Sequence, residues 1–148
     1  MSYSYRKLRF FVDDTDGTLR ANKETADQFC LAEDDGEMKE FVSLMDRYVH
    51  FSSLWGVARG AHAACAVMGN ERAKLRITWT SQLEPVTAHT FMREGYVHLL
   101  EGTFVSGLPF IGPYASSFFQ KRVKESLVVR GGRVVFRDFG YRWDMDSV

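Results

Sequence analysis

The sequence predicts an α+β fold in which helices cover one face of a mostly antiparallel sheet. Apolar residues recur at helical spacing before residue 70, whereas the second half of the chain shows successive strand patterns with no helix between them. The strongest strand signal lies at 121–143, where two runs rich in Val and aromatic residues flank Gly131 and Gly132. Adjacent glycines tolerate the positive φ angles of a two-residue turn, so this segment is predicted to be a β-hairpin.

The N-terminal residues predict a separate strand or arm. Residues 3–12 are rich in aromatic side chains and short enough for one extended strand, and the acidic turn signal at 13–17 ends it. We expect an edge strand or an arm exchanged in a dimer. At 148 residues the chain fits one domain, which we divide into this arm at 1–20 and a body at 21–148.

Three helices are predicted after the arm. The first covers about 23–33, with Asn22 as its cap, and the Asp-Asp-Gly sequence at 34–36 ends it. Apolar residues at i, i+3, i+4 and i+7 over 38–45 indicate a second, short helix. The third is the alanine-rich segment 61–68, whose small side chains allow close packing on a sheet.

Strand patterns occupy much of the remaining chain. Residues 56–60 are interpreted as a turn into the third helix, and 93–95 as a turn between two strands. The long apolar loop 106–120 is predicted to cover a pocket mouth or a subunit interface. Besides the hairpin, strands are predicted at 48–55, 74–81, 86–92 and 96–105.

Composition excludes several classes of function. Lysine plus arginine equals aspartate plus glutamate, 19 each, so no net field attracts nucleic acid, and no apolar run approaches the length of a membrane span. Cys30 and Cys65 both lie in predicted buried helices, and without an export signal they indicate reduced thiols and a cytoplasmic location. The histidines lack metal-ligand spacing and no phosphate-cradling glycine loop is present, so we predict neither a metal nor a cofactor.

Two segments resemble a known family. They are ETADQFCLAEDDGEMKEFVSLMDRYVHFSSLWGVARG at 24–60 and VKESLVVRGGRVVFRDFGYRW at 123–143. Their order and spacing are similar to those of the SnoaL-like and ketosteroid-isomerase-like members of the nuclear transport factor 2 superfamily. The resemblance implies a curved sheet wrapped into a cone, three helices packed on its concave face, a pocket in the cone and frequent dimerisation through the outer face of the sheet.

The resemblance also implies candidate catalytic residues. In the ketosteroid isomerases an aspartate is the base, and a tyrosine and a neutral carboxylic acid hydrogen-bond the developing enolate. By its position in the hairpin, Glu125 matches the neutral acid. The segment 49–52, VHFS, stands at the base position and contains no aspartate, but His50 could move protons there. No tyrosine in the first helix matches the family's tyrosine.

The hairpin register decides what Glu125 meets. A two-residue turn places it opposite Asp138, and two carboxylates on one apolar face cannot both ionise cheaply, so one would keep its proton. A three-residue loop pairs Glu125 with Arg137 instead, as a structural ion pair. Both alternatives remain open at this point.

The predicted function is binding of a small apolar or aromatic molecule, with cofactor-free acid/base isomerisation, cyclisation or dehydration of a cyclic or aromatic compound as the predicted chemistry. The alternative is a non-catalytic ligand-binding or dimeric interaction module, and in either case a homodimer is expected. The catalytic candidates are Glu125, Asp138 and His50. Aromatic and polar side chains are expected to line the pocket: Tyr48, Ser52, Trp55, Tyr96, His98, Phe136 and Tyr141.

Overall fold

The structure is a computed structural model that describes residues 17–53, 56–99 and 121–141. The expected N-terminal strand at 3–12 and the apolar loop at 106–120 lie outside the described residues. None of the helices within the described ranges has the length and hydropathy of a membrane-spanning helix.

Within the described residues three helices form, at Thr18–Asp35 (α1), Met38–Ser43 (α2) and Ala61–Lys74 (α3). The prediction that Asn22 caps α1 is wrong, because the helix begins earlier, after Gly17. Asn22 is buried inside the helix and donates a hydrogen bond to the Ala88 carbonyl at 2.9 Å. The predicted end of α1 is confirmed, since Gly36 adopts φ 72°, a conformation that favours glycine.

The described strands form one curved, mixed sheet of seven. Their order is β2-β1-β7-β6-β5-β3, with β4 paired to β5, and every pair is antiparallel except β1 with β7. The predicted α+β class is therefore confirmed. The strands are Met45–Ser53 (β1), Gly56–Arg59 (β2), Leu75–Trp79 (β3), Glu84–Pro85 (β4), Thr90–Leu99 (β5), Lys121–Arg130 (β6) and Arg133–Tyr141 (β7).

Two predicted turns are strands instead. Residues 56–59 form β2, and the predicted turn at 93–95 lies in the middle of the continuous strand β5. Gly95 permits close packing, because a Cβ atom there would lie 2.5 Å from the Thr78 carbonyl oxygen of the neighbouring strand. The glycine therefore allows β3 to approach and does not turn the chain.

The hairpin turn is confirmed, but neither of the two registers considered for it is present. Gly131 and Gly132 have φ angles of 58° and 74°, as a two-residue turn of this kind requires. A register shift between Val128 and Val129 then displaces the pairing, so that Glu125 lies opposite Phe139. This irregularity determines which side chains of β7 face the helices.

The helices pack on one face of the sheet around an aromatic core. Phe41 of α2 stacks on Phe29 of α1 with ring centroids 5.0 Å apart, and its edge meets Phe51 of β1 at 5.7 Å. Along β5, β6 and β7 alternate side chains point to this same buried face. The last turns of α1 and α3 lie beside each other at one end of the core, where Arg72 Nη1 donates to the Glu33 carbonyl at 2.6 Å.

Candidate active site

Glu125 lies at the centre of the buried face. Its side chain is 0% exposed, and it shares the inward side of β6 with Val123 and Leu127. Because strand pairing places Arg93 of β5 directly opposite it, Arg93 Nε donates to Glu125 Oε1 at 2.6 Å. Arg137 of β7 reaches it diagonally, with Nε donating to Oε2 at 2.8 Å. Both carboxylate oxygens are thus bound by guanidinium groups.

Two acids at the end of α1 complete this group. Glu33 accepts from Arg137 Nη2 at 2.5 Å and from Arg93 Nη2 at 3.2 Å. Asp34 accepts from both terminal nitrogens of Arg93, at 3.0 and 2.9 Å. We call these five residues, Glu33, Asp34, Arg93, Glu125 and Arg137, the buried ion cluster.

Aromatic rings pack against the planar faces of the two guanidinium groups. Arg93 lies 3.6 Å from the centroid of the Trp79 ring, and Arg137 lies 4.5 Å from those of Phe51 and Phe139. Such contacts favour the cationic form and hold the planar group in place. The two cations are therefore held both at their edges and over their faces.

Within the buried ion cluster the pKa values of Glu125 and Glu33 are shifted in opposite directions. Burial opposes ionisation of Glu125, but Arg93 and Arg137 outweigh it and lower its pKa to about 2. Burial raises the pKa of Glu33 well above its usual range, with Arg137 opposing this and Glu125 reinforcing it. Glu125 is therefore ionised, and the expectation that it is a neutral acid in an apolar site is wrong because two cations bind it.

A cavity of about 420 Å³ opens beside the buried ion cluster. The end of α1, the last turn of α3 and the inward side of β3 form its walls, and Arg137 lies on its inner side. Its lining residues are Glu33, Asp34, Met68, Glu71, Arg72, Leu75, Arg76, Ile77, Trp79 and Arg137.

Glu71 differs from the other acids of the cavity. It is 3% exposed, yet neither of its carboxyl oxygens accepts a hydrogen bond from any residue that the structure describes. Ser53 lies nearby, and Arg137 Nη1 stands 3.7 Å from Oε2 but donates to the Ser52 carbonyl at 2.9 Å. Burial raises the pKa of Glu71, and Arg137 only partly opposes this.

The buried charges do not balance when every acid is ionised. Within the described ranges, the buried carboxyl groups of Glu33, Glu71 and Glu125 face the two buried guanidinium groups of Arg93 and Arg137, so one negative charge is in excess. An uncompensated buried charge is costly, and a proton removes it. Burial raises the pKa of Glu33 and of Glu71, which favours a proton on one of these two groups, and Arg137 Nη1 approaches Glu71 Oε2 only to 3.7 Å.

The other predicted catalytic residues lie on the opposite face of the sheet. In β7 the register shift turns Arg137 and Phe139 inward, which leaves Asp138 on the outer side. His50 is also on the outer side, where its ring stacks on Phe136 at 5.2 Å. Phe139 lies opposite Glu125, so the pairings of Glu125 with Asp138 and with Arg137 are both wrong, although Arg137 contacts Glu125 diagonally as an ion pair.

Most predicted pocket residues share that outer face. In β1 the inward residues are Val49, Phe51 and Ser53, and in β5 Phe91, Arg93 and Val97 point inward, so the intervening side chains point away from the cavity. Trp55 and the side chain of Tyr141 lie outside the described part of the chain. The predicted pocket residues that point outward are Tyr48, Ser52, Tyr96, His98 and Phe136.

Sequence reasoning missed Arg93, Glu33 and Glu71 as site residues, although the spacing contained a signal for each. Glu33 follows Ala26, Phe29 and Cys30 on the buried side of α1, and Glu71 follows Ala64 and Met68 at helical spacing. Arg93 alternates with Phe91 and Val97, but the assumed turn hid this pattern. In each case the signal in the sequence was a charged residue at a position where the helix or strand periodicity places buried apolar residues.

Cys30, Glu33 and Glu125 bring potential metal-ligand atoms within 4.8 Å of one another. Guanidinium groups already hold both carboxylates, and burial raises the pKa of the Cys30 thiol well above its usual value. A metal requires the thiolate and a place for its own positive charge. We therefore assign this group to the ion network.

Comparison with known proteins gives one family match. A family model described as an NTF2-like domain matches residues 6–145. No curated protein matches the chain.

Several solved structures have a similar fold. Bal32a from a soil-derived mobile gene cassette superposes with a TM-score of 0.63 and 16% identity, covering 86% of this chain and 97% of that one. A proposed polyketide cyclase from Pseudomonas putida KT2440 gives 0.59 and 16%, covering 83% and 92%. An LEH-like epoxide hydrolase from M. tuberculosis gives 0.58 and 11%, covering 86% and 88%. Identities this low support a common fold alone.

Proposed function

We propose that this chain, which belongs to the NTF2-like domain family, is a cofactor-free acid/base enzyme that isomerises, cyclises or dehydrates a small cyclic or aromatic compound. The observation that carries the proposal is Glu71, a residue in the wall of a cavity of about 420 Å³, whose two carboxyl oxygens accept no hydrogen bond from the described residues. Both oxygens are closed to solvent, so proton transfer requires the side chain to turn towards the cavity. A buried acid with a raised pKa can exchange a proton near neutral pH.

In the proposed reaction the Glu71 carboxylate removes a proton from the carbon beside a carbonyl group. Arg137, on the inner side of the cavity, stabilises the negative charge that develops on the carbonyl oxygen. The Glu71 carboxyl then returns the proton to another carbon, which completes an isomerisation, or to a departing hydroxyl group, which completes a dehydration. Neither step needs a cofactor.

Glu125 takes the role of a positioning residue in this proposal. Together with Glu33 it fixes the guanidinium group of Arg137, so it acts on the substrate through Arg137. Its pKa of about 2 supports a permanent charge and not proton transfer. His50 and Asp138 have no part, because their side chains are on the outer face of the sheet.

The names of the similar structures support the type of chemistry. Two structures with this fold are named a proposed polyketide cyclase and an LEH-like epoxide hydrolase. Each such reaction benefits from a group that gives or takes a proton in a sheltered cavity.

Exchange of carbon-bound protons tests the proposal without a known substrate. Cyclohexanone and 2-tetralone are incubated with the protein in D₂O, and loss of their α-proton signals is followed by NMR. We expect Glu71→Gln to slow enzyme-dependent exchange by about 100-fold or more, while Glu24→Gln, the same change at an exposed helix position, has no effect. Equal rates in wild type and Glu71→Gln, or no catalysed exchange of either ketone, would contradict the proposal. Binding without exchange would favour the non-catalytic ligand-binding alternative.

The homodimer and the cytoplasmic location remain predictions. Tyr48 and Val57, which are 72% and 63% exposed, support association through the outer face of the sheet near β1 and β2. Sedimentation equilibrium gives the mass directly, and the mass of a single chain at micromolar concentration would contradict the dimer.

A further inference from the structure

We propose that the cavity binds small apolar primary amines, with the ammonium group seated on Glu71. This inference depends on the assignment of Glu71 to the ligand site in the proposed function, but it does not require turnover. It names the class of ligand that the cavity takes and the group on which that ligand is anchored.

The polar groups around the cavity differ in whether they have hydrogen-bond partners. Asp34 and Glu33 bind Arg93 and Arg137, and Arg72 donates to the carbonyls of Glu33 and Asp34 at 2.6 and 2.9 Å. Among the lining residues that the structure describes, Glu71 is the carboxyl group with both oxygens unbonded. A ligand that gains most from this cavity must therefore bring hydrogen-bond donors.

An ammonium group fits this requirement better than other common head groups. Once the Glu71 side chain turns towards the cavity, an ammonium group offers three donors for its two oxygens. Its positive charge also offsets the negative charge that the buried acids hold in excess of Arg93 and Arg137. A hydroxyl group offers one donor and no charge. A carboxylate would place a second negative charge against Glu71, which is unfavourable unless a cation lies between them.

The rest of the cavity suits a hydrocarbon body. Met68, Leu75, Ile77 and Trp79 line it, and they come from α3 and the inward side of β3. Apolar surface removed from water here favours binding, and a ring fills the space better than a short chain. The cavity therefore favours an aromatic or alicyclic amine over a small polar one.

Binding of the ammonium ion is coupled to release of a proton from Glu71. The charged residues that line the cavity with Glu71 are Glu33 and Asp34 on α1, Arg72 on α3, Arg76 on β3 and Arg137 on β7. Of the charged groups, Arg137 lowers the pKa of Glu71 and Glu125 on β6 raises it. Before a ligand binds, burial favours the protonated form of the Glu71 carboxyl group. When the ammonium ion binds, that proton leaves to solvent and the carboxylate pairs with the ammonium group. Linkage then requires amine affinity to rise up to tenfold per pH unit below the pKa of Glu71 and to level off above it.

The test uses three probes with a phenyl ring and different head groups: 2-phenylethylammonium, 2-phenylethanol and 3-phenylpropanoate. Isothermal titration calorimetry at pH 6, 7 and 8 gives each Kd, and buffers of different ionisation enthalpy report proton release. We expect the amine to bind at least about tenfold more tightly than the alcohol at pH 8, to release a proton at pH 6 and to gain affinity with pH. Glu71→Gln should remove the pH dependence and at least about nine tenths of the affinity, while Glu24→Gln should not.

Several results would overturn the inference. One is tighter binding of 3-phenylpropanoate than of the amine, which would mean that Arg72, Arg76 or Arg137 determines which ligand binds. The others are equal affinities for amine and alcohol, or no binding of any of the three probes. The pH series on the wild-type protein needs no variant, so the test stands even if Glu71→Gln fails to fold. Failure here with Glu71-dependent ketone exchange leaves the proposed function intact, whereas amine binding without exchange supports the inference and removes the enzymatic proposal.

Discussion

Replacing Glu125 by glutamine tests the buried ion cluster most severely. The change keeps the size of the side chain but removes the charge that binds both Arg93 Nε and Arg137 Nε. An amide offers one acceptor oxygen, so its nitrogen must face one of the two guanidinium groups as a second donor. Two buried cations then lose the anion between them.

The magnitude follows from the pKa of Glu125. A fall from 4.5 to about 2 corresponds to about 3 kcal/mol of folding free energy at neutral pH, in the range of about 3–5 kcal/mol for breaking a buried ion pair. For a chain of this size that lowers Tm by roughly 6–12 °C. Because the folded pKa is lowered, this stability is present above pH 4.5 and is lost as the pH falls towards 2.

Urea denaturation followed by circular dichroism measures the effect at several pH values. We expect the gap between wild type and Glu125→Gln to be about 3 kcal/mol at pH 7 and to close between pH 4.5 and pH 2. Glu24→Gln should stay within about 0.5 kcal/mol of wild type throughout. A loss below about 1 kcal/mol at pH 7, or a gap that does not change with pH, would show that Glu125 does not hold the two guanidinium groups as a buried anion.

Two further changes test the site and the sheet. Glu71→Met should raise the unfolding free energy at pH 8 by about 1–3 kcal/mol, because it removes a buried carboxylate that lacks hydrogen-bond donors among the described residues. Since the folded pKa of Glu71 is raised, the wild type loses stability as the pH rises, so the gain measured by urea denaturation should shrink at pH 5, and a loss at pH 8 would contradict this account. Gly95→Ala should cost about 1–3 kcal/mol because its Cβ would lie 2.5 Å from the Thr78 carbonyl oxygen. Gly69→Ala, in α3 with no described atom near its Cβ, should stabilise by up to about 1 kcal/mol, and equal effects of the two glycine changes would be inconsistent with the close approach of β3.

Much of the fold follows from local patterns. Helical spacing, the Asp-Asp-Gly end of α1 and the Gly131-Gly132 turn are local features, and the structure reproduces them. The predicted membership of the nuclear transport factor 2 superfamily is also confirmed by the match over 6–145. These features depend on neighbouring residues, which a sequence shows directly.

The site depends on long-range register, which a sequence shows poorly. One bulge between Val128 and Val129 moved Asp138 out of reach of Glu125 and left Arg137 inside. Because Gly95 was interpreted as a turn residue, β5 was predicted as two separate strands, and the alternation of buried residues that includes Arg93 was missed. Glu125 was correctly expected to be buried, but its neighbours come from α1, β5 and β7, and only their packing sets its charge.

Protonation of Glu71 is the property on which both proposals depend. A ¹³C NMR titration of glutamate side chains, with Glu71 assigned by its absence in Glu71→Gln, measures it directly. We expect a midpoint clearly above the usual glutamate value of about 4.3, and we expect it to move to lower pH when 2-phenylethylammonium is added. A midpoint at or below that usual value would show that burial does not make Glu71 a stronger base than an ordinary glutamate, and would contradict both proposals.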